Sequence, residues 1–276
     1  MVRIVTDSTA DLTPEQQRGA GITVVPLNVH FGDEVFRDHV DLSADEFFRR
    51  LKASPQLPRT SQPSVGAFEE AFRKLREAGD EVVAVHLSSK VSGTYNSALM
   101  AAQSVGDGKI EVVDSLSTSM ALGFMALEGA RLAKAGRDRQ AIAESLQALA
   151  PKARVICVVD TLTYLERGGR IGKARALLGS LLNVKPILQL KDGEVVPVGR
   201  ARGRAQALGK LVELLGRDGK VSQLAIMHGA AQADAEQLRD RVASQYPGLD
   251  ILLTETGAVL GTHTGPGVIG FTYLAA

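Results

Sequence analysis

Apolar residues along the chain are grouped into short runs, and several of these runs end in clusters of small hydroxylated residues. The run Glu81–His86 is followed by a serine-rich loop and then by the helix-forming residues 98–102. Residues 2–6 and 110–113 show the same arrangement, because aspartate, serine and threonine residues and then a helical pattern follow each of them. Parallel strands that alternate with helices bind their ligands at the carboxyl ends of the strands. The pattern therefore predicts a parallel sheet with a ligand crevice at that edge.

The loop after Glu81–His86 carries four hydroxyl groups, on Ser88, Ser89, Ser92 and Thr94. A helix that begins in this loop presents unpaired backbone N–H groups and the positive end of its dipole to the same place. These donors together suit an anionic group. The same residues also suit an ordinary N-cap made by Ser92 or Ser88, so both interpretations stay open at this point.

The second half of the chain has a different pattern. Residues 184–190 and 194–198 are strand-like runs joined by a Lys-Asp-Gly turn at 191–193, which is typical of a β-hairpin. Helices and further strands follow. The predicted fold is α/β, with an N-terminal domain of residues 1–152 and a C-terminal domain of residues 153–276. We expect a mainly parallel sheet with helices on both faces in the first domain, and an α+β arrangement with a largely antiparallel sheet in the second.

Two further segments carry polar side chains. Residues 53–64 contain three prolines and no periodicity, and they are predicted to form a loop. Residues 261–267 are rich in glycine and threonine and contain His263, which is the best candidate for a working polar group among the five histidines. His86 and His228 end apolar strands, so we expect them to be core histidines whose hydrogen bonds are satisfied.

Composition narrows the class of protein. The 276 residues are 45% hydrophobic and 23% charged, which is ordinary for a soluble globular protein. A net charge of +1 gives no indication of a nucleic-acid or anionic membrane partner. The single cysteine, Cys157, permits no internal disulfide and is predicted to be a small core residue. The N-terminus has no signal-peptide pattern and no apolar stretch reaches the length of a membrane span, so we expect a cytoplasmic protein.

Two segments resemble nucleotide-binding motifs but lack their requirements. Residues 265–270 match the glycine spacing of a dinucleotide fingerprint, yet no helix and no later acidic residue can follow them. Around residues 168–173, Arg167 and Ala174 replace the first glycine and the magnesium-binding hydroxyl of a phosphate loop. The histidines show no metal-ligand spacing. We therefore predict no bound nucleotide cofactor and no metal site.

The residues of a hydrolase are nevertheless present. Ser92 and His263, together with Asp7 or Asp114, would supply the residue types of a catalytic triad, whose members need not be adjacent in sequence. A serine esterase or acyl hydrolase is therefore the alternative from the enzyme class.

Basic residues are concentrated in two groups within the second half of the chain. The groups are Arg167, Arg170, Lys173 and Arg175, and Arg200, Arg202 and Arg204. Such groups are either solvated surface or a site that docks an acidic partner or a phosphate. The residues alone leave both interpretations open.

Several blocks of this sequence together resemble the DegV family over nearly the whole chain. The blocks are Val5-Thr6-Asp7-Ser8-Thr9-Ala10-Asp11-Leu12, Thr60-Ser61-Gln62-Pro63-Ser64, Leu87-Ser88-Ser89, Ser92-Gly93-Thr94-Tyr95, Val113-Asp114-Ser115, Tyr164-Leu165-Glu166-Arg167-Gly168-Gly169-Arg170-Ile171, Lys185-Pro186-Ile187-Leu188 and His263-Thr264-Gly265-Pro266-Gly267. Each block is weak by itself, but their order and spacing are specific to this family.

The resemblance implies a bacterial protein of two domains that binds one long-chain fatty acid in an apolar tunnel between them. It implies that the fatty-acid carboxylate is held by Thr60 with Ser61, by Ser92 with Gly93 beside it, and by His263. Convergent hydroxyl groups and a helix N-terminus fit that role, because a buried carboxylate is costly unless it is well hydrogen-bonded. His263 would donate directly or through water, and in its protonated form it would neutralise the charge.

The resemblance also implies a partner. Members of the family act as the non-catalytic, acyl-carrying subunit of fatty acid kinase in phospholipid metabolism, and a separate ATP-binding kinase subunit forms the acyl phosphate. Docking of that subunit is expected at Arg170, Arg200 and Arg202. Gly203 departs from the family pattern, which commonly has a hydroxyl residue there. A lipid sensor that reports through the basic surface is a third possible function, beside the carrier and the hydrolase.

Overall fold

The computed structural model describes residues 1–179, 184–218 and 220–275. The strands are β1 (Val2–Asp7), β2 (Thr23–Val25), β3 (Asn28–Phe31), β4 (Glu34–Arg37), β5 (Arg59–Ser61), β6 (Glu81–His86), β7 (Ile110–Asp114), β8 (Ala153–Val158), β9 (Lys185–Lys191), β10 (Glu194–Ala201), β11 (Val221–His228), β12 (Ile251–Glu255) and β13 (Ile269–Ala275). The α-helices are α1 (Pro14–Ala20), α2 (Ala44–Ala53), α3 (Val65–Glu77), α4 (Thr94–Val105), α5 (Ser119–Lys134), α6 (Arg139–Leu149), α7 (Thr163–Arg167), α8 (Arg204–Leu215), α9 (Gln232–Gln245) and α10 (Ala258–Thr264).

The N-terminal strands form a four-stranded sheet in the order β2-β1-β6-β7, and every neighbouring pair is parallel. Successive side chains of a strand point to opposite faces. Val82 and Ala84 of β6 therefore pack with helices α3 and α4, whereas Val83 and Val85 pack on the side of α5 and α6. Helices cover both faces of the sheet, as strands that are apolar on both sides require. The predicted parallel sheet is confirmed.

The C-terminal strands form a six-stranded sheet in the order β10-β9-β8-β13-β11-β12, which is antiparallel except for the β11–β12 pair. At the turn between β9 and β10, Asp192 and Gly193 have φ angles of 50° and 82°. Two successive positive φ angles are the signature of the type I′ hairpin turn. The predicted hairpin and the largely antiparallel sheet are therefore confirmed.

The prediction that residues 53–64 form only a loop is wrong. Strand β5 lies within them and completes a three-stranded antiparallel sheet of order β4-β3-β5. Thr60 of β5 pairs with Val29 of β3, so the strand is stabilised by a partner distant in sequence. A strand of three residues between prolines is too short to show an alternating pattern.

The main hydrophobic core joins the two halves of the chain. It contains Ile4 and Val83 from the parallel sheet together with Val155 and Met227 from the six-stranded sheet. Strand β8 begins at Ala153, next to the predicted boundary at residue 152. The division into domains 1–152 and 153–276 stays a prediction.

Helix α10 is attached to the N-terminal half by two buried carboxylates. Asp11 accepts hydrogen bonds from the backbone N–H of Gly257 at 3.1 Å and from the hydroxyl of Ser119 at 2.7 Å. Asp38 accepts from the N–H of Ala258 at 2.8 Å. Negative groups at these positions satisfy free N–H donors and suit the positive end of the helix dipole.

His39 supplies the positive charge beside these carboxylates, since its Nε2 lies 3.4 Å from Asp11 Oδ1. Burial lowers the pKa of His39, but the hydrogen bond to Asp11 and the negative charges of Asp38, Asp11 and Glu255 outweigh burial and raise this pKa to about 9. The imidazole is therefore protonated at neutral pH. Burial, by contrast, raises the pKa of Asp38.

Asp11→Asn tests this attachment. Asp11 has a left-handed backbone conformation with φ 51°, which asparagine tolerates, so the change removes mainly the charge. We expect the free energy of unfolding at pH 7 to fall by roughly 2–3 kcal/mol. This loss is smaller than that caused by breaking a fully buried ion pair, because His39 is partly exposed. Urea denaturation measures it.

The matched control is Asp41→Asn, which removes the carboxylate of the exposed Arg37–Asp41 ion pair. Exposed pairs contribute little to stability, so this variant should unfold almost like the unmodified protein. An equal loss of stability in the two variants would contradict the importance assigned to Asp11.

Candidate functional site

The serine-rich loop after β6 leads directly into helix α4. The helix begins at Thr94, and its N-cap is Gly93, which has no side chain to cap it. The alternative in which Ser92 or Ser88 is the N-cap is therefore wrong. Ser92 Oγ lies 2.9 Å from Thr94 Oγ1 and accepts the Thr94 N–H at 3.3 Å, and the hydroxyl of Ser88 donates to the carbonyl oxygen of Gly193.

Two carboxylates hold this loop from neighbouring strands. Asp7 Oδ2 lies 3.0 Å from His86 Nδ1 and accepts the N–H of Leu87 at 3.0 Å. Asp114 accepts the N–H of Ser89 at 3.2 Å. Both aspartates therefore have a structural role. His86 is only half satisfied, since its Nε2 is buried and has no hydrogen-bond partner in the described part of the chain.

Thr60 and His263 meet across the molecule. Thr60 Oγ1 on β5 lies 2.9 Å from His263 Nε2 on α10. Ser61, the next residue of β5, has its hydroxyl 2.9 Å from His30 Nε2. His263 is thus bonded to Thr60, whereas Ser92 is bonded to Thr94. Among the hydrogen bonds of the described residues, the predicted hydrolase triad is not formed.

A cavity of about 390 Å³ lies between the two halves of the protein, within the ~300–1,000 Å³ typical of small-molecule sites. Its walls are mainly apolar and come from the six-stranded sheet, from strand β5, from helices α7 and α10, and from connecting segments such as those after β2 and β6. The apolar wall residues are Leu27, Leu87, Val91, Val155, Cys157, Val159, Leu165, Leu188, Leu190, Val195, Met227, Val259 and Leu260. The polar wall residues are Thr60, Ser61, Gln62, Ser92, Thr118, Arg170, Gln189, His263 and Thr264.

The structure brings the predicted head-group residues to this cavity. Thr60, Ser61, Ser92 and His263 all line it. Gly93 lines an adjoining, more open depression that shares Ser92 with the cavity and also contains basic side chains. Hydroxyl groups and the start of helix α4 therefore converge, as the sequence pattern indicated.

The predicted docking arginines do not lie together at the cavity. Arg170 lines it, and its guanidinium donates to the carbonyl oxygens of Val91 at 3.1 Å and Gly168 at 2.7 Å. Arg200 and Arg202 are exposed at the end of β10 and just beyond it. Gly203 is the N-cap of α8 with φ 79°, a backbone conformation that favours glycine over a hydroxyl residue.

Four polar residues of the cavity wall were not predicted, namely Gln62, Thr118, Gln189 and Thr264. Thr118 lines the cavity with a buried hydroxyl that has no hydrogen-bond partner among the described residues. It belongs to the hydroxyl-rich end of β7, which is the signal that identifies it. Gln62 donates to the hydroxyl of Ser97 at 2.9 Å, and its amide lies against Gly93, where a Cβ would overlap it.

The charge state of His263 determines which of its two expected roles, donor or neutralising cation, applies at neutral pH. Burial and, to a smaller degree, the charge of Arg170 lower the pKa of His263 to about 4. The imidazole is therefore neutral at neutral pH, and the cationic group that lines the cavity is Arg170. Cys157 is also un-ionised, because burial raises the pKa of its thiol to about 12, so this residue belongs to the apolar wall.

The described residues offer few alternatives to this site. They contain no group of three or more histidine, cysteine or acidic side chains placed to hold a metal ion. None of the helices in the described ranges combines the length and the hydrophobicity needed to cross a membrane. Within the described residues, the cavity is therefore the candidate binding site.

A mainly apolar cavity with converging polar groups is the usual form of a small-molecule site in an α/β protein. The chain belongs to the DegV family, because the family model described as "Uncharacterised protein, DegV family" matches residues 1–276. A DegV domain-containing protein of Halalkalibacterium halodurans is 40% identical over 99% of this chain and 98% of its own length. Protein DegV of Bacillus subtilis is 34% identical over 99% of this chain and 98% of its own length.

Solved structures of similar chains are described as fatty-acid-binding proteins. A DegV family protein from Thermus thermophilus, described by its fatty acid binding, has a TM-score of 0.94 and 35% identity over 100% of this chain and 99% of its own. DegV from Bacillus subtilis, described as a fatty acid binding protein, has a TM-score of 0.91 and 35% identity with the same coverage. A family member from Eubacterium eligens, loaded with heptadecanoic acid, has a TM-score of 0.88 and 26% identity over 100% of both chains.

The lowered pKa of His263 predicts how stability depends on pH. The ordinary value is 6.5 and the folded value is about 4, so between these values the unfolded chain binds a proton that the folded chain does not. The effect of His263 on the free energy of unfolding should be negligible above pH 6.5, and this free energy should decrease as the pH falls toward 4. Urea denaturation of the protein and of His263→Gln at pH 7, 6 and 5 measures this, and the variant should lose less stability. Parallel losses would contradict the prediction.

Proposed function

We propose that this protein carries one long-chain fatty acid in the cavity between its two halves. Its carboxylate would lie among Thr60, Ser61, Ser92, Gly93 and His263, and its tail would fill the apolar space. The observation that supports this most strongly is the arrangement of the cavity, in which mainly apolar walls end at a small group of hydroxyl, imidazole and guanidinium groups. Family members of known structure are described as binding fatty acids.

The polar groups match the needs of a carboxylate. Transfer of a charged group from water is costly unless hydrogen bonds replace those to water. The hydroxyls of Thr60 and Ser92 and the N–H groups at the start of α4 are such donors, and Arg170 adds a positive charge. Hydrogen bonds to an ionised acceptor are the stronger kind.

The apolar walls match the needs of an acyl chain. Each buried methylene contributes about 0.8 kcal/mol, whatever its position along the chain. The walls thus supply affinity, while the polar groups fix which end of the ligand faces them. A fatty acid would contact both the apolar walls and the polar end of the cavity. A short polar metabolite would make no contact with most of the apolar walls.

The protein would be a non-catalytic subunit of a bacterial fatty acid kinase. The sequence has no nucleotide-binding motif, so the phosphoryl donor must be held by another protein, which we infer to be an ATP-binding kinase subunit. That subunit would form the acyl phosphate on the presented carboxylate, which activates the acyl group for phospholipid synthesis. On this proposal the carrier works in the cytoplasm, where ATP is available, and needs no cofactor beyond its bound fatty acid.

Loss of the bound ligand tests the carrier function. Native mass spectrometry of the freshly purified protein should show one fatty acid per chain. Thr60→Val and Ser92→Ala each remove one hydrogen bond to a charged group, so each should weaken palmitate binding by roughly 10- to 100-fold, measured by calorimetry. Ser145→Ala, on the distant helix α6, is the matched control and should bind normally.

A protein that carries no lipid and takes up no added palmitate would contradict the carrier function. The hydrolase alternative has its own test with a chromogenic short-chain ester. A carrier should show neither turnover nor a burst of acyl-enzyme, and hydrolysis that disappears in Ser92→Ala would establish an enzyme.

Charge reversal tests the proposed docking surface. Arg202→Glu replaces an exposed cation outside the cavity, so it should leave palmitate binding unchanged. It should weaken binding of the purified kinase subunit by tenfold or more, because a charge pair at the interface is lost. Biolayer interferometry measures the second quantity. Arg137→Glu, in the exposed segment between α5 and α6, is the control. Equal binding by both variants would exclude Arg202 from the interface.

A further inference from the structure

One face of the six-stranded sheet forms the floor of the cavity, and a single row of residues crosses this floor. Residues that pair across an antiparallel ladder lie side by side on the same face. The row consists of Leu188 on β9, Cys157 on β8, Gly270 on β13 and Met227 on β11, which pair in that order. All of them except Gly270 line the cavity. The row therefore carries the cavity across the sheet as far as β11.

The neighbouring row of the same face ends earlier. Leu190 on β9 and Val155 on β8 line the cavity. The next residues of that row are Thr272 on β13 and Ala225 on β11, which are buried and do not belong to the described part of the cavity wall. The cavity thus reaches β11 only along the row that contains Gly270.

Gly270 is a glycine because strand β8 approaches it closely. A Cβ at this position would overlap the carbonyl oxygen of Ile156 and the Cα atom of Cys157. Any larger residue would therefore have to displace the backbone of β8. The row consequently has a gap between the side chains of Cys157 and Met227, and the cavity continues through this gap.

The polar end of the cavity lies near the other edge of the same floor. Val195 on β10 lines both the cavity and the adjoining depression, which also contains Ser92 and Arg170. Four strand spacings separate β10 from β11, which is roughly 19 Å at ~4.8 Å for each spacing. An extended acyl chain advances ~1.25 Å for each carbon–carbon bond of ~1.52 Å, so this distance corresponds to about 16 carbons.

We propose that Met227 closes the apolar end of the cavity and sets the length of the longest acyl chain that the protein accepts. The chain runs across the strands from β10 toward β11, and its methyl end meets the thioether of Met227. This inference rests on the proposed function for the identity of the ligand. It deepens that function by naming the residue that determines chain length.

A methionine suits the closed end of a cavity that selects ligands by length. Its side chain is unbranched and has three rotatable bonds, so it fills irregular space. Met227 is 2% exposed and belongs to the main core, so a shorter residue there enlarges the cavity. A chain that is too long must displace this side chain. A chain that is too short loses affinity by about fourfold for each methylene group that is not buried.

Substitution of Met227 tests this role. Met227→Ala removes Cγ, Sδ and Cε, which makes room for about two methylene groups, so the fatty acid of highest affinity should become about two carbons longer. Met227→Phe introduces a bulkier and stiffer side chain and should shorten the preferred acid. Calorimetric titration of the delipidated protein with saturated fatty acids from laurate to arachidate measures the preferred length.

Met125→Ala is the matched control. Met125 on α5 is also a buried methionine of the main core, but it does not belong to the described part of the cavity wall. Its truncation leaves a comparable void in the core. This variant should lose about as much stability toward urea as Met227→Ala while it keeps the preferred chain length of the unmodified protein.

An unchanged preferred length in Met227→Ala, in a variant that folds and binds palmitate, would overturn the role of Met227 and leave the carrier function intact. An equal shift in Met125→Ala would also overturn it, because the effect would then belong to the core in general. Absence of binding of every fatty acid by the unmodified protein would instead contradict the carrier function itself. If Met227→Phe does not fold, the two alanine variants still decide the question.

Discussion

The geometry of the site depends on two buried carboxylates that hold the start of helix α10. Asp11 and Asp38 accept the N–H groups of Gly257 and Ala258, and His39 balances part of their charge. Six residues after Gly257, the same helix presents His263 to Thr60. Because the carboxylates come from the N-terminal half of the chain and α10 from the C-terminal half, the attachment fixes two walls of the cavity relative to each other. A site made of residues that are distant in sequence requires such a fixed junction.

On the proposed function, the apolar walls of the cavity provide affinity for the ligand and its polar end fixes the orientation of the ligand. Its apolar walls come from the main core, where Val155, Cys157 and Leu188 of the six-stranded sheet face the N-terminal half. Its polar end uses neutral donors, since His263 has a strongly lowered pKa, and a single cation, Arg170, borders it among the described residues. Neutral donors avoid the desolvation cost that a second buried charge would add.

Much of this arrangement could be predicted from the sequence, and the failures have physical causes. The alternation of apolar runs and hydroxyl clusters predicted the parallel sheet and the loop of Ser92, because strand periodicity is a local property. Strand β5 and helix α10 were missed, since both are short and depend on contacts distant in sequence. The pairing of Thr60 with His263, and the neutral state of that histidine, follow from burial in the folded chain. Thr118 was within a noted cluster, but its unpaired hydroxyl is visible only in three dimensions.

The cavity lies within the main core, which has a consequence for the lifetime of the protein. The cavity of about 390 Å³ lies among side chains that otherwise pack against each other. A ligand that binds the folded chain alone shifts the folding equilibrium toward it, in proportion to the logarithm of its free concentration. On the proposed function, molecules without fatty acid would therefore unfold, and be cleaved by proteases, more often than molecules that carry it. On the proposed function, the cellular abundance of the carrier would follow the supply of fatty acid without any dedicated regulator.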